Sequence, residues 1–330
     1  MKVCVFGAGA IGSHVAARLI AAKAADVSMV ARGANLEAIR SRGLLIRSND
    51  EEIGARVEVA TDDPSSLPPQ DLVIVALKTP SLPGAAATLA RMLAPRGCAL
   101  FLSNGIPWWW RYGLPGKAGP LPLLDPQGKL WSELTPQRAL GCVVYSPNDP
   151  TAPGVIVHRG PNRWVIGEPD NSTTPRLTAA VELLQRGGIT AEVSRDLRRE
   201  MWSKLARNAA NNTVSGLIRQ PLASASDDPE LRRLAGALMR ETVAVAGALG
   251  WDVRREVDVE KILSQIGAVG AIRSSMLQDV QQHRALEVDA LLGQTQAFAR
   301  ETGVPVPTID VIVPLMRALD KSLALERNTR

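Results

Sequence analysis

Over about the first 195 residues, short apolar runs alternate with stretches of helical periodicity. The runs KVCVF (2–6), DVSMV (26–30), DLVIVAL (71–77), CALFLS (98–103) and GCVVYS (141–146) predict strands. Several are almost continuously hydrophobic, the pattern of parallel strands covered by helices on both faces. Between the first two, Ile11 to Lys23 is Ala-rich and helical in pattern, which makes a βαβ unit of about 30 residues. GVIVHRGPNRWVIG (154–167) reads as two strands around a Gly-Pro-Asn turn and predicts an antiparallel hairpin.

Beyond Arg195 the strand-like runs stop. Helical patterns rich in Ala, Leu, Arg and Glu occupy 196–218, 227–249, 256–266, 274–302 and 308–326, with breaks at Pro221, Gly250 and GVPVP (303–307). The expectation is an α/β parallel-sheet domain over 1–195 followed by an all-α helical domain over 196–330, with a cleft between them. One stretch, 104–130, fits neither pattern. It is rich in Gly and Pro, carries Trp108, Trp109 and Trp110, and is long enough for a loop to be either functional or mobile.

Composition narrows the class. With 330 residues, 45% hydrophobic and 22% charged, the chain has the makings of a globular protein with a sizeable core. The net charge of +5 is scattered with no basic run, so it fits a small anionic ligand better than a nucleic acid. Cys4, Cys98 and Cys142 form no CxxC pair, and the three histidines are dispersed, so neither a disulfide framework nor a metal site is expected. No apolar run reaches the ~18 residues of a membrane span. The opening residues resemble a weak signal peptide, but His14 and Arg18 interrupt its apolar stretch; a reduced, cytoplasmic protein is expected.

The opening glycines have another explanation. Gly7-x-Gly9-x-x-Gly12 follows a strand and opens a helix, the context of a dinucleotide-binding Rossmann-type turn. Gly7 permits the tight turn, Gly9 lets a pyrophosphate approach, and Gly12 lets helix and strand pack closely. Ala8, Ala10 and Ile11 complete the loop, whose free N–H groups face the phosphates. An NAD-selecting fold carries an acid about 20 residues further on. Arg32 stands there instead, with no acid before Glu37, and a guanidinium suits the 2′-phosphate of NADPH.

In the first helix of the second half, Lys204, Asn208 and Asn212 are spaced i, i+4, i+8 and share one stripe. Asn is a poor helix former, so the stripe implies contacts: a ligand with hydroxyl and carboxylate groups, or a solvated face or domain-junction bonds, which spacing alone does not separate. Lys204 is a candidate proton donor to an oxygen that gains charge when a ketone is reduced. Ser275 and Glu287, read alone, belong to a solvated face of an amphipathic helix. His283 caps a helix or faces solvent, and His14 is structural.

GAGAIG (7–12), Arg32, ALKTP (76–80), LSNG (102–105), WSKLARNAANN (202–212), SSMLQDV (274–280) and LEVD (286–289) occur in the order found in ketopantoate reductases. The chain resembles that family along essentially its whole length. The resemblance implies NADPH-dependent reduction of 2-dehydropantoate to pantoate in pantothenate synthesis, with Lys204 as general acid and Glu287 binding the substrate hydroxyl. It implies that Asn208 and Asn212 hold substrate oxygens, that Ser275 contacts the carboxylate, and that Asn104 lies beside nicotinamide and substrate. Arg32 and Lys78 match the basic residues around the NADPH phosphates. The implied partner is a small 2-oxo acid, with no nucleic acid and no membrane, and a homodimer is compatible with it. Two alternatives stand: a paralogue reducing another 2-oxo or 3-hydroxy acid, and a non-catalytic NADP(H)-binding sensor.

The sequence departs from the family pattern at Leu286 (usually Thr), at Thr213 (often Pro) and in 106–134, which is longer than expected. Because this segment follows Asn104, its indoles are expected near the cleft mouth, reshaping the substrate pocket.

Overall fold

A computed structural model of the chain describes residues 1–269 and 273–328. Twelve strands are described: β1 (Lys2–Phe6), β2 (Asp26–Val30), β3 (Leu44–Arg47), β4 (Glu52–Ala55), β5 (Val59–Thr61), β6 (Gln70–Val75), β7 (Leu93–Phe101), β8 (Ala139–Tyr145), β9 (Asn148–Ala152), β10 (Val155–His158), β11 (Arg163–Gly167) and β12 (Thr190–Val193). The helices are α1 (Ala10–Ala21), α2 (Gly33–Arg42), α3 (Leu82–Met92), α4 (Pro175–Arg186), α5 (Leu197–Ile218), α6 (Pro229–Ala248), α7 (Val259–Gln265), α8 (Ser275–Gln281), α9 (Gln294–Thr302) and α10 (Pro307–Asn328). They fall into two compact units. Met1–Ser103 and Pro107–Leu197 make the first; Asn104–Ile106 and Arg198–Arg330 make the second.

The first unit is built on an eight-stranded sheet in the order β12-β11-β8-β7-β6-β1-β2-β5. Pairing is parallel from β5 through β8, so this is the Rossmann-like sheet that the apolar runs predict. The central strands are buried because helices cover them: Val3, Cys4, Val5, Val73, Ile74, Ala99 and Leu100 are all inaccessible. β11 runs antiparallel to β8. The hairpin expected over 154–167 does not form. β10 pairs with β3 and β9 in a separate four-stranded sheet, while β11 joins the large one.

The Trp segment is also different from expectation. Trp108, Trp109 and Trp110 are 1%, 0% and 1% exposed, inside the first unit, with Trp108 edge-on to Phe101 at 5.7 Å. Three indoles remove so much apolar surface from water that they anchor the segment as core. The buried Asp125 then accepts the Leu130 and Trp131 N–H groups, at 3.2 and 2.9 Å, and starts a π-helical turn at Leu130–Leu134.

Among its described residues the second unit contains helices and no strand. α6 and α7 begin on aspartate caps, Asp228 and Asp258, and α10 begins where Glu241 accepts the Thr308 and Ile309 N–H groups at 2.9 Å each. The pattern over 274–302 does not give one helix. It stops after Gln281, turns through His283 at φ +52°, and resumes as a π-helical turn at Asp289–Gly293.

Candidate active site

The glycine loop has the geometry a pyrophosphate needs, and its three glycines serve different ends. Gly7 sits at φ +113°, where a Cβ would come within 2.9 Å of the Ala76 carbonyl oxygen. At Gly12 a Cβ would lie 2.0 Å from the Gly7 oxygen, so strand and helix could not approach as they do. At Gly9 a Cβ would meet nothing within 4 Å. That space is not filled by protein, and it lies at the cap of α1, where no side chain caps the helix and no acid occupies the first turn. The donors and the positive end of the helix dipole are thus left for an anion. The loop residues Ala8, Ala10 and Ile11 supply the backbone, and the group fits.

The other cofactor candidates follow neighbouring strands at the same edge of the sheet. Arg32, exposed, caps α2 just after β2, and the first turn of α2 carries no acid. Lys78, half-buried, follows β6 and precedes the turn Thr79–Ser81. Ligands of open α/β sheets bind at these carboxyl ends.

In the second unit, α5 carries the polar stripe. Leu205, Ala206, Ala209 and Ala210 are buried and orient the helix, leaving Lys204 and Asn208 half-buried. Lys204 Nζ donates to Asn104 Oδ1 at 2.7 Å, which joins residues 100 positions apart. Asn104 is held there by its neighbours. Gly105, at φ +81°, packs so closely on Ala290 that a Cβ would sit 2.3 Å from its carbonyl oxygen, and Ile106 N–H donates to that oxygen at 2.8 Å. One turn beyond Asn208, the buried Asn212 donates to Ser275 Oγ at 3.3 Å. The structure thus brings together two pairs, Lys204–Asn104 and Asn212–Ser275, with Asn208 between them on the helix.

Two serines that sequence reasoning missed secure the second pair. Ser274 caps α8 by accepting the Leu277 N–H at 3.1 Å, and its hydroxyl lies 2.6 Å from that of Ser215 on α5. The signal was present as a Ser just ahead of an apolar helical run.

Glu287 is 5% exposed and does not belong to a solvated helical face: no continuous helix spans 274–302, and the side chain is inside. Leu286 beside it donates its N–H to Asp320 Oδ1 at 2.9 Å. His283 neither caps a helix nor faces open solvent; its Nδ1 is 2.7 Å from Glu326 Oε2 on α10.

His14 is fully buried in the first unit, 4.8 Å from the ring of His158. Burial, with the charges of His158 and Arg18 added, pushes its pKa down to about 3, so it is neutral and structural. Burial drives the Cys4 thiol up to about 12 and Cys98 to about 11, which keeps both protonated, and Cys4, Cys98 and Cys142 form no disulfide. Among the described residues no group of His, Cys, Asp and Glu is placed to hold a metal ion, and no helix is long and apolar enough to cross a membrane.

Residues 3–171 match the family model described as ketopantoate reductase PanE/ApbA, and residues 196–320 match the model of its C-terminal part. The chain is similar to 2-dehydropantoate 2-reductase of Mesorhizobium japonicum, with 39% identity over 97% of this chain and 98% of the relative. Among solved structures it is similar to a candidate ketopantoate reductase from Ralstonia solanacearum MolK2: TM-score 0.88, 33% identity, 97% and 98% of the two chains covered. A 2-dehydropantoate 2-reductase from Geobacter metallireducens GS-15 superposes with TM-score 0.83 at 25% identity, covering 98% and 99%.

Proposed function

The chain belongs to the ketopantoate reductase family, and on that premise we propose that it reduces 2-dehydropantoate to pantoate with NADPH. The observation that carries the reading is the 2.7 Å bond between Lys204 Nζ and Asn104 Oδ1. It holds an amine in a fixed direction, and a positioned proton donor is what reduction of a ketone needs from the protein.

In this reading the first unit binds the dinucleotide. Gly7, Ala8, Gly9, Ala10, Ile11 and Gly12 take the pyrophosphate, and Arg32 and Lys78 take the phosphate charges, with the 2′-phosphate on Arg32. When bound, the dinucleotide would supply a hydride, one proton with two electrons, to the ketone carbon. The protein supplies the rest. As charge develops on the carbonyl oxygen, Lys204 stabilises it and passes its Nζ proton across, so the product leaves as an alcohol and the amine regains a proton from solvent. Asn104 holds one N–H of Lys204 and so fixes the direction of the amine, and its own amide nitrogen faces nicotinamide and substrate in this reading. Asn208 and Asn212 bind the substrate oxygens, Ser275 its carboxylate and Glu287 its hydroxyl.

The test is to follow nicotinamide absorbance while NADPH is mixed with 2-dehydropantoate and, in parallel, with a panel of other 2-oxo acids. The reading expects 2-dehydropantoate to have the highest kcat/KM. A faster acid in the panel would assign the chain a different substrate, and NADPH binding without any turnover would make it a binding protein rather than a reductase.

A further inference from the structure

α10 grips the segment that carries Glu287 on both sides of that residue. On one side, Asp320 Oδ1 accepts the main-chain N–H of Leu286 at 2.9 Å. On the other, Arg317 donates to Asp289 Oδ1 from Nη2 at 2.5 Å and from Nε at 3.1 Å. Asp320 and Arg317 are three residues apart on one helix, so they share a face and reach the segment together. The intervening chain is not regular helix. It follows His283 at φ +52° and opens into the π-helical turn Asp289–Gly293, a geometry that needs support from outside its own hydrogen-bond ladder.

A glycine in that turn points the same way. Gly293 has φ −61°, which any residue adopts, so the backbone does not require glycine there. A Cβ on it, however, would lie 2.4 Å from Asp289 Oδ1 and 3.0 Å from Arg317 Nη2. The missing side chain makes room for the ion pair.

The geometry points to Asp320, with Arg317, as a positioning residue for Glu287, acting through the Leu286 amide and Asp289. This rests on the reading of Glu287 as the group that binds the substrate hydroxyl. Glu287 stands at the junction where the irregular segment enters the π-helical turn, its carbonyl accepting the Leu291 N–H at 3.1 Å. The direction of its carboxylate therefore depends on how that junction is held, and misplacing a substrate-binding group by about 1 Å costs on the order of 100-fold in rate. α10 supplies the rigid support.

Asp320→Ala removes the acceptor, whereas Asp320→Asn keeps an oxygen for the Leu286 N–H. These two variants, Glu287→Ala and the double variant Glu287→Ala/Asp320→Ala are compared with the wild-type chain by steady-state kinetics and by hydrogen exchange of the 282–293 peptide. Asp320→Ala is expected to exchange about tenfold faster in that peptide and to lose roughly 10- to 100-fold in kcat/KM for 2-dehydropantoate. NADPH affinity stays within about twofold, because uniform cofactor binding is not touched. Asp320→Asn restores most of both losses, and the double variant loses no more than Glu287→Ala alone. Unchanged exchange in Asp320→Ala, an Asn variant as impaired as the Ala variant, or additive losses in the double variant would each overturn the assignment. A wild-type chain that ignores 2-dehydropantoate would instead defeat the functional reading, and the exchange comparison would still decide whether Asp320 holds the segment.

Discussion

Replacing Gly9 with Ala separates what the loop does for the fold from what it does for the ligand. The backbone there, φ −76° and ψ −172°, suits alanine, and the new Cβ meets no atom within 4 Å. Two small terms act on stability. Alanine restricts the unfolded chain and stabilises by about 0.4–1 kcal/mol, while it is a poorer helix cap than glycine by about 0.5–1 kcal/mol. They cancel, so the melting temperature should move by less than about 2 °C. The cofactor feels the methyl directly. If it displaces one phosphate from a backbone donor, the lost charge-assisted hydrogen bond is worth about 1.5–3 kcal/mol, or roughly a 10- to 150-fold rise in the Kd for NADPH. Gly12→Ala should do something else. Its Cβ would stand 2.0 Å from the Gly7 oxygen, so α1 must shift, and overpacking of about 2 kcal/mol lowers the melting temperature by roughly 4–8 °C. Thermal melts without ligand and fluorescence titrations with NADPH read the two effects. A Gly9→Ala chain that melts as early as Gly12→Ala yet keeps wild-type affinity would refute this division of labour.

Lys204→Ala should reduce kcat by about 100- to 10,000-fold while the NADPH Kd is retained; single-turnover absorbance checks it, and unchanged turnover removes Lys204 from the chemistry. Arg32→Ala should weaken NADPH by about tenfold or more and NADH hardly at all, as paired titrations would show; equal losses would put the 2′-phosphate elsewhere. The chain should lose stability on acidification. His14 titrates at about 3 when folded against 6.5 when free, so the unfolded chain binds more protons between those values and the stability present above about pH 6.5 drains away as pH falls toward 3. By pH 4.5 the loss from this one group is about 2.7 kcal/mol; urea midpoints against pH measure it, and a His14→Phe variant with the same slope would rule the group out.

The parts of the fold legible in the sequence were those whose surroundings are uniform. β1, β6, β7 and β8 are buried on both faces over most of their length, and β2 at Met29 and Val30, so their apolar runs announce them. β3, β4, β5, β9 and β12 are three to five residues long, and sequences such as EIGA and NDPTA carry no such mark. Partner choice was harder still. Val155–His158 and Arg163–Gly167 are neighbours in sequence, but they join different sheets, β10 between β3 and β9 and β11 between β8 and β12. The break after Gln281 has no Gly or Pro to signal it, and the chain beyond it is held by α10 through Asp320 and Glu326. At the site, the glycines, Arg32 and the Lys204–Asn208–Asn212 stripe followed from chemistry and spacing. Glu287 and Ser275 did not, because a carboxylate that only the tertiary fold buries looks, in sequence, like any surface acid.

The three residues Asn104–Ile106 leave the sheet and fold with the helices, carrying the acceptor of the Lys204 ammonium with them. The halves are therefore poor candidates for modular exchange. A chimera that grafted residues 196–330 onto a foreign nucleotide-binding half would inherit the amine without its amide, and a transplant that works would have to bring this short detour along.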